Sequence, residues 1–202
     1  MSGEYLTIEE IAASVQKMGS FPDQVRYQYY KNLLNRRLLI NDSIDSTLLE
    51  TVTLPLLEMD SDGSGQPIEI LLNTNGGSIY DGLSLCNVID GLKTPTTITV
   101  ITYAFSMGGL ILMAGFNNPQ VRKRCYPYSV GLIHAGNVNL GGNSNSVKDF
   151  FDFHTQMEKK IKNYVLTHSR IGEKLYHDME RFEFYMTAED LLKYGLVDEI
   201  IG

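Results

Sequence analysis

The sequence is poor in cysteine, with only Cys86 and Cys125 among its 202 residues. So few thiols do not build the disulfide framework on which small extracellular domains depend, and a reducing compartment is favoured. Neither cysteine belongs to a Cys-x-x-Cys pair or to a cysteine–histidine spacing typical of zinc ligands. We therefore expect a cytoplasmic protein that binds no metal and needs no cofactor.

The sequence also lacks clustered positive charge and long apolar runs. Its net charge is −7, and its only dense basic run is Arg122-Lys123-Arg124, whereas binding to nucleic acid needs many cations on one surface. No stretch reaches the ~18 apolar residues that cross a membrane. Residues 1–20 also lack the basic and then apolar segments of a secretion signal. We expect neither a nucleic-acid partner nor a membrane partner.

The chain does contain alternating strand-like and helix-like segments. Residues 38–40 form a short apolar run, and the predicted strands lie at 68–72, 97–101, 121–126, 130–134, 183–187 and 196–201. Helical patterns between several of these strands predict an α/β fold of stacked βα units. Residues 1–25 are interpreted as a separate N-terminal arm with a helix of its own, and residues 26–202 as one domain.

One predicted helix is much longer than the others. Residues 135–145 are rich in Gly and Asn, which predicts a loop, and a helical pattern then runs from about Ser146 to His168. Its apolar stripe consists of Phe150, Phe153, Met157, Ile161, Tyr164 and Val165. A stripe of this length exceeds what one subunit of this size can cover, so the helix is expected to contact another copy of the chain.

Two turns that follow neighbouring predicted strands carry candidate catalytic groups. Gly76 and Gly77 follow one strand, and Ser106 stands at the junction between the next strand and its helix. Loops at this end of an α/β sheet commonly form active sites. Because glycine lets the backbone approach a ligand closely, the N–H of Gly76 or Gly77 and the N–H of Met107 predict an oxyanion hole beside Ser106.

A candidate base follows a third strand. His134 ends the apolar strand at 130–134, and a histidine at the end of a neighbouring strand can take the proton of a serine nucleophile. Alone, a glycine pair is often a tight turn, a serine before a helix is often an N-cap, and such a histidine is often structural. Together they indicate a serine hydrolase. An α/β-hydrolase is disfavoured because Ala104 stands where the Gly-x-Ser-x-Gly motif has its first glycine.

The segment Ala104-Phe105-Ser106-Met107-Gly108-Gly109 resembles the nucleophile segment of the Clp protease proteolytic subunits, the ClpP family. Other segments resemble the same family in the same order: the oxyanion segment at 73–78, Ile-His at 133–134, the handle from 141 to 168 and the C-terminal end at 186–198. The resemblance covers residues 26–202. It does not extend to the N-terminal arm, and Asn75 stands where the family has proline.

This resemblance implies a ClpP/crotonase-like fold in which a protruding handle helix, about 146–168, joins two stacked heptameric rings. It implies a serine endopeptidase with Ser106 as nucleophile, His134 as base and Gly76, Gly77 and Met107 around the oxyanion. It further implies unfolded polypeptides as substrates and an AAA+ unfoldase of the Clp type as partner. The rings are expected to contain this chain alone or mixed with a second ClpP.

The acid that completes the triad can be counted in two registers. Counting back from Met186-Thr187-Ala188 gives Glu183, whereas counting forward from Glu180-Arg181 gives Phe182. A carboxylate can orient an imidazole and a phenyl ring cannot, so Glu183 is the predicted acid, with Asp178 as a further candidate.

Two alternatives remain open at this stage. In the first alternative, the chain is a weakly active paralogue that serves mainly as a ring subunit and needs a partner ClpP. The uncertain identity of the triad acid favours this alternative. From a different class of chemistry, the crotonase fold shares the oxyanion architecture and acts on acyl-CoA thioesters, but it has no need of a Ser–His pair at these two junctions.

Overall fold

The structure is a computed structural model that describes residues 13, 17, 24–136, 142–179 and 181–202. Ala13 and Lys17 are helical, and the rest of the predicted arm helix lies outside the described residues. Part of the predicted Gly/Asn loop, residues 137–141, also lies outside them, as does Glu180.

The elements alternate between strands and helices along the chain. The strands are β1 (Arg37–Ile40), β2 (Ile68–Thr74), β3 (Thr96–Phe105), β4 (Val121–Cys125), β5 (Val130–Ile133), β6 (Phe184–Met186) and β7 (Glu199–Ile200). The helices are α1 (Gln24–Leu34), α2 (Leu54–Ser61), α3 (Ile79–Asp90), α4 (Met107–Met113), α5 (Ser144–Thr167), α6 (Glu173–Met179) and α7 (Ala188–Lys193). The predicted α/β class is confirmed.

The strands form one mostly parallel sheet of seven strands in the order β1-β2-β3-β4-β7. The long strand β3 is shared: its first half pairs with β4 and its last three residues pair with β5. Strand β5 in turn pairs with β6, and this pair alone is antiparallel among the described strands. This branch carries the carboxyl ends of β2, β3 and β5 to one edge.

The core lies between the sheet and its helices. Ile70 of β2, Ile98 of β3 and Leu85 of α3 are completely buried. A continuous set of buried apolar side chains extends from them to α4 and α7. Burial on this scale, at roughly 1.5–3 kcal/mol for each large apolar side chain, holds the strand ends in fixed relative positions.

Some elements differ from the sequence prediction. Helix α6 was not predicted, because its seven residues are too few to show a clear helical period. The last strand is shorter than the predicted 196–201, since Leu196 donates its backbone N–H to Leu191 O at the end of α7 and so belongs to the helix terminus. Before α2, residues 49–53 form a π-helical turn in which Leu54 N–H reaches Leu49 O.

The long helix α5 begins at Ser144, two residues before the predicted start. The Asn143 side chain caps it by accepting from the N–H groups of Asn145 and Ser146 at 3.1 and 3.0 Å. The predicted apolar stripe divides in two. Its inner part, with Ile161 and Val165, packs on the core of its own subunit, whereas Phe150 and Phe153 in the outer part are 41% and 48% exposed.

Across the described ranges, no helix combines the length and the apolarity that crossing a bilayer requires.

Candidate active site

The loop after β2 brings backbone directly against Ser106. Gly76 has φ = +92°, a conformation that side chains rarely adopt, and a Cβ there would lie 2.7 Å from Ser106 Cβ and 2.9 Å from Met107 N. Glycine is therefore required at this position for both conformation and space. Asn75, which replaces the proline of the resemblance, is exposed and does not prevent this approach.

The candidate oxyanion donors differ in whether their N–H already has a hydrogen-bond acceptor. Gly76 N–H donates to Thr74 Oγ1 at 3.1 Å. Within the described part of the chain, no acceptor meets the N–H of Gly77 or of Met107. These two N–H groups thus have no acceptor within that part of the chain, whereas the N–H of Gly76 is free only if its bond to Thr74 is broken.

Ser106 occupies a strained turn between β3 and α4. Its φ of +53° and ψ of −118° are unusual for a residue with a Cβ, and such backbone strain costs of order 1–3 kcal/mol. The turn is held by a bond from Ser106 N–H to Leu132 O at 2.8 Å and by one from Gly109 N–H to Ser106 O at 2.9 Å.

Small residues on both sides permit this turn. Ala104 is completely buried, and a Cβ at Gly108 would lie 2.7 Å from Thr74 Cγ2. Ala104 and Gly108 therefore occupy the two small-residue positions of a turn that resembles a nucleophile elbow, although the first is not glycine. Reading the motif as Ala-x-Ser-x-Gly would have revealed this turn from the sequence.

The fold places the His134 side chain within hydrogen-bond distance of Ser106. It follows β5 immediately, is half-buried, and its Nε2 lies 2.9 Å from Ser106 Oγ. This is the distance at which an imidazole accepts a hydroxyl proton. The two residues that stand 28 positions apart in the chain are joined because β3 and β5 are neighbouring parallel strands.

The candidate acids are arranged differently. The antiparallel β5–β6 ladder ends with the pair Ile133 and Phe184, and His134 and Glu183 lie immediately beyond this pair on the two chains. The Glu183 carboxylate, however, accepts from the Tyr185 hydroxyl at 2.8 Å, and among the described residues it makes no hydrogen bond or ion pair with His134. Phe182 is 70% exposed, with Arg181 over its ring, and Asp178 is exposed on α6.

Tyr185 was not singled out from the sequence. Its hydrogen bond to Glu183 raises the pKa of its own phenol, because the neighbouring carboxylate disfavours a second negative charge. The spacing in the sequence could have indicated this contact. Tyr185 lies in β6, Glu183 directly precedes that strand, and residues two apart along a strand share a face.

Within the ranges that the structure describes, no group of three or more His, Cys, Asp or Glu side chains is arranged to hold a metal ion. Both cysteines are free and buried, and burial raises the pKa of the Cys86 thiol to about 12 and that of Cys125 to about 11, which leaves both thiols protonated and unreactive.

Comparison with known proteins matches residues 22–202 to the family model described as Clp protease. The chain belongs to the Clp protease family. This is a family of serine peptidases, so the predicted resemblance and the predicted enzyme class are confirmed. The assignment leaves the acyl-CoA alternative without support.

Three relatives illustrate the similarity. The ATP-dependent Clp protease proteolytic subunit of Deinococcus radiodurans is 29% identical over 177 residues, which are 87% of this chain and 85% of that relative. The subunit of Borreliella afzelii is 31% identical over 87% of this chain and 88% of its own length. The ATP-dependent Clp protease proteolytic subunit 1 of Salinibacter ruber is 26% identical over 87% of this chain and 75% of its own length.

Proposed function

We propose that this chain is a serine endopeptidase subunit in which Ser106 attacks the peptide carbonyl. His134 takes the hydroxyl proton through Nε2 and returns it to the leaving amine. Water then attacks the acyl group on Ser106. His134 takes a proton from this water and returns it to Ser106 Oγ, which is released. The observation that carries this proposal is the 2.9 Å contact between Ser106 Oγ and His134 Nε2, made at a strained strand-to-helix turn.

The developing oxyanion would be held by backbone donors. Met107 N–H follows the nucleophile directly, and the unpaired N–H of Gly77 or the Thr74-bound N–H of Gly76 supplies the second donor. Each such donor contributes roughly 10²- to 10³-fold to the rate of acyl transfer. No metal and no cofactor enters this mechanism.

Glu183 is the proposed third member of the triad. It would accept from His134 Nδ1–H, fix the tautomer that leaves Nε2 free and stabilise the imidazolium. The antiparallel ladder supports Glu183 over Phe182, because Glu183 lies directly beyond the Ile133–Phe184 pair on one chain as His134 does on the other. Asp178 has no comparable support, since it lies exposed on α6.

The relatives are each named as one subunit of an ATP-dependent protease. We propose that this chain likewise assembles into two stacked heptameric rings, alone or mixed with a second ClpP, and that α5 joins the rings. Unfolded polypeptides would be delivered by an AAA+ unfoldase of the Clp type in the cytoplasm. Residues 26–202 would form the protease domain and residues 1–25 an N-terminal arm.

A second function is favoured by one observation. Glu183 is bonded to Tyr185 and not to His134, so the triad of this subunit is incomplete as it stands. A weakly active paralogue that gains full activity only beside a partner ClpP would have this arrangement. This function also uses Ser106 and His134, so the two proposals differ in the activity of the chain alone.

The proposal is tested by hydrolysis of an unstructured fluorogenic peptide. Ser106→Ala should remove hydrolysis while the circular dichroism spectrum and the assembly size stay unchanged. Ser84→Ala is the matched control, because Ser84 is an exposed serine on α3 and should retain the full rate. Hydrolysis by Ser106→Ala at the wild-type rate would refute the proposal. A wild-type chain that is inactive alone but active when mixed with a second ClpP would favour the paralogue.

A further inference from the structure

Tyr185 makes the contact that the proposed mechanism leaves unexplained. Its hydroxyl donates to Glu183 Oε2 at 2.8 Å, and in the described part of the chain this is the hydrogen bond that the Glu183 carboxylate makes. The residue proposed to orient His134 is therefore held by a different donor.

The strand pairing puts two donors within reach of Glu183. Tyr185 pairs with Leu132 in the antiparallel β5–β6 ladder, which ends at Ile133 and Phe184, and His134 and Glu183 lie immediately beyond that last pair on the two chains. Directly opposed residues of such a ladder have Cβ atoms ~5 Å apart, which is within reach of a glutamate side chain. The carboxylate can thus turn along its own chain to Tyr185 or across the ladder to His134.

The position of the Tyr185 hydroxyl does not depend on Glu183 alone, because the Tyr185 ring packs against another residue. The ring meets Phe105 edge to face, with centroids 6.1 Å apart and planes at 88°. Phe105 directly precedes Ser106 and also contacts the ring of Tyr103 at 5.2 Å. The strand that carries the nucleophile therefore sets the position of the hydroxyl that binds the acid.

We propose that Tyr185 is a positioning residue whose hydroxyl competes with His134 for the Glu183 carboxylate and keeps the triad incomplete in the resting subunit. This inference rests on the proposed function, in which Glu183 is the acid.

The competition is a modest one. Tyr185 is 60% exposed, and a net hydrogen bond in such a setting shifts an equilibrium by roughly three- to tenfold. Removing the hydroxyl should raise the fraction of subunits with a complete triad by a similar factor. The acid acts mainly in the transition state, so the gain should appear in kcat and not in KM.

The test is Tyr185→Phe, which removes the hydroxyl and keeps the ring against Phe105. We expect kcat for the fluorogenic peptide to rise about three- to tenfold with KM unchanged. Tyr128→Phe is the matched control: Tyr128 is 94% exposed, and this variant should keep the wild-type kcat. In a Glu183→Gln background, Tyr185→Phe should have no effect, because no carboxylate remains to be released.

Three outcomes overturn the inference: an unchanged kcat in Tyr185→Phe, a reduced kcat, or an equal gain in the Glu183→Gln background. Failure here is separable from failure of the proposed function. If Ser106→Ala abolishes hydrolysis while Tyr185→Phe changes nothing, the peptidase assignment stands and the competition does not. If neither the wild type nor Tyr185→Phe hydrolyses the peptide, whether alone or mixed with a second ClpP, both are refuted.

Discussion

The proposed chemistry depends on single residues that lie at strand ends. The pairing of Ser106 with His134 was predictable, because the carboxyl ends of neighbouring parallel strands meet at one edge of a sheet. The partner of Glu183 was not predictable. Whether a carboxylate turns to Tyr185 or to His134 depends on its side-chain rotamer, and strand periodicity fixes only the face on which the side chain lies.

Replacing Glu183 by Gln tests the acid at the residue scale. The amide favours the wrong imidazole tautomer, so kcat should fall on the order of 10³-fold, about three- to tenfold less than for a permanently complete triad because Tyr185 already competes in the wild type. Peptide hydrolysis measures this directly, and Glu189→Gln, an exposed carboxylate on α7, is the control. A loss below about threefold would show that Glu183 takes no part in catalysis.

The packing of the helices constrains Met107, whose N–H is a proposed oxyanion donor. Helix α3 lies against α4 at Gly82, where a Cβ would be 2.2 Å from Met107 Cγ and 2.7 Å from its Sδ. Met107 is almost completely buried, so its side chain has little space in which to move away. The position of the Met107 N–H thus depends on a glycine in a neighbouring helix.

Gly82→Ala is therefore expected to impair catalysis. Alanine favours a helix interior by ~1 kcal/mol over glycine, but overpacking a tight contact costs typically 1–3 kcal/mol and should displace Met107. We expect kcat to fall more than about tenfold with little change in KM, up to the 10²- to 10³-fold that one oxyanion donor contributes. Gly91→Ala, at the other end of α3, meets only ordinary contacts at 3.7 Å and should be silent. Equal rates for the two variants would disprove this coupling.

At the element scale, the sequence predicted the βα alternation because long apolar or amphipathic segments carry a clear period. It missed α6, whose seven residues span barely two turns, and it overestimated the last strand. Leu196 and Val197 are apolar because they are buried after α7, and not because they belong to the sheet. The apolar side chains of a short segment indicate that it is buried, but they do not indicate whether it is a helix, a strand or a connection.

At the scale of the whole molecule, the packing of a single subunit does not explain the exposed apolar side chains on the outer half of α5. Its inner residues pack on the core, whereas Phe150, Phe151 and Phe153 are 41%, 60% and 48% exposed. Assembly through this helix was implied by the resemblance. Composition and periodicity alone indicated an uncovered apolar stripe but gave no ring size or symmetry.

Assembly is tested with Phe150→Asp/Phe153→Asp. Two unpaired charges in an apolar contact should cost several kcal/mol per subunit, and light scattering should show smaller particles than the wild type. Gln156→Asp is the control, since Gln156 lies exposed on the same helix outside the apolar stripe. An unchanged particle size in the double variant, or a wild-type chain that stays monomeric at high concentration, would rule out α5 as the contact.

The central claim is that Ser106 is the nucleophile, and covalent labelling tests it most directly. The protein is treated with a fluorophosphonate, digested, and the modified residue is located by mass spectrometry. We predict an adduct on Ser106 that is absent from Ser106→Ala and forms much more slowly in His134→Ala, because the hydroxyl then lacks its base at 2.9 Å. An adduct on a different residue, with Ser106 unmodified in a preparation that hydrolyses peptides, would contradict the account.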